Sequence, residues 1–94
     1  MSQLLWRIAL GLVEASRGNY AEGESLLRDA IALQSGEQPE TEARTLLALA
    51  DVLEGAGRNR EAAAAVEDAV ALFERKGFLA GVALARGRLA QLTA

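Results

Sequence analysis

The chain is expected to fold as an all-α, right-handed α-solenoid of antiparallel helical hairpins, with five helices making two and a half repeats. Three observations predict this. Ala, Leu, Glu and Arg dominate its 94 residues while Val and Ile are few, a composition that favours helix over strand. Glycine and the single proline, Pro39, cut the chain at Gly18-Asn19, Ser35-Gly36-Glu37-Gln38-Pro39, Gly55-Ala56-Gly57 and Gly77, and a helix-compatible run follows each cut. The sequence also matches itself when displaced by about forty residues, the mark of a stacked repeat.

The cuts bound helices over about 3–17, 20–34, 40–55, 59–76 and 78–92. The first carries Leu5, Ile8 and Leu12 with Ala9, Leu10 and Val13. Tyr20 opens the second, where it is expected to pack between the helices of its own hairpin, and Glu22 in the first turn complements the positive end of the helix dipole. Glu40 and Glu42 do the same for the third, whose Leu46, Leu49, Ala50 and Leu53 fall at helical spacing on one stripe. In the fourth the stripe is Val66, Ala69, Val70 and Phe73, opposite a solvated face of Arg58, Arg60, Glu61, Glu67, Asp68, Glu74 and Arg75. Phe73 and Phe78 flank Gly77 and are expected to join the fourth helix to the fifth. The fifth has Leu79, Val82, Leu84, Leu89 and Leu92 around more than one face. Connections of a few residues force successive helices to fold back on one another.

A displacement of 39 places Gly18 on Gly57, Glu22 on Glu61, Asp29 on Asp68, Ala30 on Ala69, Ala32 on Ala71 and Leu33 on Leu72. The same shift carries Ala9, Leu10 and Val13 onto Ala48, Leu49 and Val52, so the register holds through both helices of a hairpin. A displacement of 40 carries Leu49, Ala50 and Val52 to Leu89, Ala90 and Leu92, which makes the fifth helix the opening half of a third hairpin. The expected organisation is one domain over 1–94: repeat one at 1–36, repeat two at 37–76 and a half repeat at 77–94.

The spacing Leu10-Gly11, Gly18-x-Tyr20, Gly23, Leu27 and Ala30, matched by Leu49-Ala50, Gly57, Ala62, Val66 and Ala69, resembles the tetratricopeptide-repeat pattern. Small residues at the crossing let two helices approach to about 8 Å, where larger ones would wedge them apart. Departures are the absent early aromatic (Arg7 and Leu46 stand there), Glu14 and Leu53 at the next tyrosine position, and the missing closing proline. The longer period resembles the repeats of large bacterial signal-transduction ATPases and transcription regulators. That resemblance implies an alternative role as a regulatory sensor segment of an ATP-dependent transcription regulator.

Composition excludes much chemistry. With no Cys and no His, thiol nucleophiles, disulfides, the usual zinc sites and imidazole acid-base catalysis are absent. Four serines and three threonines would depend on Lys76, the one lysine, as base, and no Ser-x-x-Lys spacing occurs. Pairs such as Glu22 with Glu24, or Glu40 with Glu42, diverge by about 200° on a helix and cannot converge on one substrate. Gly55-Ala56-Gly57 follows a helix rather than a strand, so it is expected to end that helix rather than to cradle phosphate. No catalytic residue, metal site or cofactor is expected. An enzyme reading would need a small-molecule pocket between hairpins with Arg44 and Asp51 as polar handles. A net charge of −3 disfavours nucleic acid, and no apolar run is long enough for a membrane span. With no recognisable leader at Leu4, a cytoplasmic location is expected.

The resemblance implies a protein or peptide partner bound along a concave face made by the first helix of each pair. On that basis the candidate partner-binding residues are Leu5, Ile8, Leu12, Arg44, Leu47, Asp51, Leu84 and Arg88, with Glu54 and Gln91 beside them. The face reads as apolar, then acidic with one arginine, then with a single basic residue. The family's clamp for a terminal carboxylate needs Lys and Asn where Ile8, Leu12 and Ala48 stand, which disfavours chaperone-tail binding. Trp6 is expected either to cover the open first helix or to anchor a partner. Because the fifth helix lacks a polar outer side, Leu79, Val82, Leu89 and Leu92 are the candidate self-association residues of a homo-oligomer.

Overall fold

A computed structural model describes residues 3–34 and 38–93, with the side chains of residues 3–5 left aside. Five helices follow in order: α1 (Gln3–Ser16), α2 (Tyr20–Gln34), α3 (Pro39–Gly55), α4 (Asn59–Lys76) and α5 (Leu79–Thr93). Each lies within a residue of its predicted bounds. The described residues hold no strand. Each helix packs on its neighbour in sequence, giving a slab 35 × 32 × 16 Å, the layered solenoid that the repeat predicts.

The same glycine device makes three of the bends. Gly18, Gly57 and Gly77 have φ of 89°, 81° and 78°, a left-handed conformation that glycine adopts without a Cβ penalty. The residue after each donates its N–H back to a carbonyl five positions earlier: Asn19 to Glu14, Arg58 to Leu53 and Phe78 to Phe73, each at 2.9 Å. The Gly N–H groups meanwhile reach Ala15, Glu54 and Glu74, so the last carbonyls of α1, α3 and α4 are satisfied as each chain reversal begins. Pro39 occupies the first turn of α3, where its missing N–H costs nothing.

The core is centred on α3 and α4. Leu27, Leu49, Leu53, Val66 and Phe73 are fully buried, and Ala43, Ala50, Ala62, Ala69 and Ala85 fill the close approaches between helices. Phe73 and Phe78 meet across the Gly77 bend with ring centres 5.6 Å apart, as expected of the joint between α4 and α5. Gly81 of α5 lies flat against the Phe73 ring; a Cβ there would come within 2.5 Å of it. Two polar side chains are buried with these residues: Gln34 donates to the Thr45 hydroxyl at 2.8 Å, and Thr45 donates onward to the Thr41 carbonyl.

One local expectation needs correction. Tyr20 does not pack between the helices of its own hairpin; its ring lies over Gly55 at the end of α3, 2.9 Å from where a Cβ would stand. Gly55 is therefore the flat floor under an aromatic ring, and the positive φ belongs to Gly57 alone of that pair. The physical reason is the short bend after α1, which directs the first side chain of α2 outward toward the next hairpin.

Candidate functional site

α1 stands beside α3, the first helix of the next hairpin. Residues of α1 and α3 are in contact, and Arg88 of α5 reaches across to α3, bonding Asp51 and lying 3.6 Å from Glu54. The α1–α3 contact and the Arg88 side chain thus link α1, α3 and α5. Ile8 is half-buried against the core and Leu12 is 40% exposed on α1. Leu5 belongs to α1, but its side chain lies outside the described residues.

Arg44 is exposed, bonds Glu40 one turn earlier at 3.5 Å, and lies over the Phe78 ring at 5.7 Å. Leu47 is 9% exposed and sits in the core, so it forms the wall beneath the surface rather than the surface itself. Asp51 is exposed and engaged by Arg88, while Leu84 projects from α5 with 60% of its area free. The single basic residue expected at the far end is thus drawn onto the acidic middle. Two carboxylates facing one guanidinium leave that middle one negative charge in excess. Arg44 and Asp51, the polar handles of a pocket reading, are each engaged by a different partner.

Of the four residues expected at a chain-to-chain contact, Leu79 stands clear with 79% exposure. Val82, Leu89 and Leu92 are half-buried and pack against the core. Trp6 is 53% exposed, with the Arg7 guanidinium 5.8 Å from its ring.

A second polar cluster ties the hairpins together away from this surface. Arg58, in the bend before α4, bonds both Glu24 of α2 and Glu61 of α4, while Arg28 bonds Glu24 at 2.8 Å. The Arg58 hydrogen bond, followed by that of Arg28, holds the Glu24 carboxyl below its ordinary value, and Arg58 does the same for Glu61. These are ion pairs near water that fix neighbouring helices. A shallow groove beside them has Leu46, Leu49 and Leu53 as its floor, with Arg28, Glu61 and Asp68 at its edges.

Among the described residues, no group of three or more acidic side chains is placed to hold a metal ion, and no helix is long and apolar enough to cross a membrane. A family model described as "Tetratricopeptide repeat" matches residues 2–75, from α1 to the end of α4, leaving α5 beyond the match. No curated protein and no solved structure matches the chain.

Proposed function

The chain belongs to the tetratricopeptide-repeat family, whose repeats typically mediate protein–protein interaction and assembly, and we propose that it binds a peptide or a helix of another protein along the face shared by α1, α3 and α5. The observation that carries this reading is the Arg88 bridge, which ties α5 to the acidic residues of α3. Exposed apolar side chains stand toward both ends, Leu12 on α1 and Leu84 on α5. The excess carboxylate of the Asp51–Glu54–Arg88 group lies between them. A fitting ligand has apolar anchors about two helix widths apart and a basic or amide group in the middle, since affinity comes from a few desolvated anchors and orientation from charge. Ile8 supports Leu12 from below, and Arg44 on Phe78 borders the α5 end. In this reading α5 opens a third repeat and offers a second contact, to another copy of the chain.

Photo-cross-linking tests the first contact. A photoreactive residue at Leu12 or Leu84 is expected to capture one and the same protein, whereas the same group at Glu67, exposed on α4, does not capture it. Capture of that protein from Glu67, or no capture from Leu12 and Leu84, would overturn the reading.

A further inference from the structure

The displacement of 39 that relates the two hairpins also relates two depressions, and their contents differ. The first, of about 300 Å³, is lined by Arg7 of α1 and by Asp29, Ala32 and Leu33 of α2, and in it the Arg7 guanidinium lies 3.9 Å from the Asp29 carboxylate. The displacement carries those four residues to Leu46, Asp68, Ala71 and Leu72, and all four line the second, a notch of about 380 Å³ where α2, α3 and α4 meet. Asp68 thus repeats the carboxylate of Asp29, while Leu46 stands in place of the arginine. Ile31 of α2 also lines the notch and Leu46 is 8% exposed, so the position that supplies the cation in the first hairpin is closed to a charged side chain in the second. Among the described residues the Asp68 carboxylate has no hydrogen bond or ion pair.

We propose that this notch takes an arginine side chain of a partner protein, with its guanidinium on Asp68 as Arg7 lies on Asp29, and its methylene stem on Ile31, Leu46 and Leu72. The charges that line the notch are Glu42, Asp68 and Arg75, one negative in excess, which favours a cation over an anion. A guanidinium suits it better than an ammonium: the stem must cross an apolar floor, and the weakly hydrated planar fork matches a carboxylate. The chain itself makes that pair at the equivalent place in its first hairpin. The notch shares Leu46 and Asp68 with the shallow groove floored by Leu49 and Leu53, so an extended segment with an apolar residue beside its arginine fills both. This site goes beyond the α1–α3–α5 face and shares no residue with it.

A displayed library of random peptides, panned on the intact chain with excess Asp68→Asn chain in solution, tests this, because peptides that do not need the Asp68 carboxylate are competed away. Enriched peptides are expected to carry an arginine beside a large apolar residue. Citrulline in place of that arginine keeps the shape and removes the charge, and is expected to weaken binding by about tenfold or more in fluorescence anisotropy. Ala71→Arg, exposed one turn after Asp68, supplies a guanidinium from the chain itself and is expected to weaken binding by a similar factor, whereas Asp51→Asn leaves it unchanged. The citrulline comparison uses the unaltered chain and decides the matter should Ala71→Arg fail to fold. No enriched peptide, enrichment of lysine in place of arginine, enrichment of acidic peptides held by Arg75, or equal binding by the citrulline peptide would each overturn the proposal. None of these outcomes bears on cross-linking from Leu12 or Leu84.

Discussion

Gly23 and Gly11 face one another so closely that a side-chain carbon on Gly23 would stand 2.7 Å from the Gly11 carbonyl oxygen. The reverse contact, from Gly11 to the Gly23 carbonyl, would be 3.1 Å. The first hairpin thus closes on backbone, while the second has Ala50 and Ala62, both fully buried, at the same places.

Alanine in place of these glycines should act with opposite signs at different sites. Gly23→Ala is expected to destabilise the chain by about 1–3 kcal/mol, because the rigid carbonyl must give way, despite the helix preference of about 1 kcal/mol that alanine brings. Gly87→Ala faces open space and should raise stability by about 0.5–1 kcal/mol. Thermal unfolding of dilute samples reads both.

Phe73 should hold α5 in place. Removing it leaves a cavity beneath Gly81 and is expected to cost about 3–5 kcal/mol, with early loss of hydrogen-exchange protection in α5. Gly81→Ala, which strikes the Phe73 ring, should be strongly destabilising alone and close to neutral in the Phe73→Ala background. Additive effects in that cycle would contradict the contact.

The buried Gln34–Thr45 bond makes a third case. Thr45→Val strands the Gln34 amide in the core and is expected to cost about 1–3 kcal/mol in denaturant titrations. Replacing both, with Gln34→Leu added, should recover most of the loss, since neither polar group then remains to be satisfied.

Acid should loosen the joint between hairpins. Glu24 titrates lower in the folded chain than its ordinary 4.5, so its contribution is present above that value and is lost as pH falls through the folded one. Glu24→Gln is therefore expected to be the less stable chain at pH 7, by no more than about 1 kcal/mol for a pair in reach of water. The gap should begin to narrow in urea titrations once pH falls below 4.5 and keep closing as pH falls through the lower folded value, and high salt should narrow it at any pH. A gap that widened in acid would contradict the sign.

Function depends on side chains more than on helices. The candidate face was legible as a set of first-helix positions: Leu12, Asp51 and Leu84 are exposed as that pattern implies, yet Leu47 is buried. Periodicity locates an apolar stripe, but its edge is set by how closely the next helix approaches. On α5 apolar residues occur around the helix, so no stripe marked which side packs. Val82, Leu89 and Leu92 turned to the core, while Ala83, Gly87 and Ala90 lie on the exposed side.

By itself the sequence determined five helices, their bounds and their recurrence, because glycine bends and helix-forming runs act over a few residues at a time. Only the tertiary structure decided that Tyr20 covers Gly55, that Arg88 answers Asp51 and Glu54, and which side of α5 packs on the core. Those relations join residues some 35 positions apart, and local pattern cannot specify them because they depend on the angle and spacing at which whole helices stack.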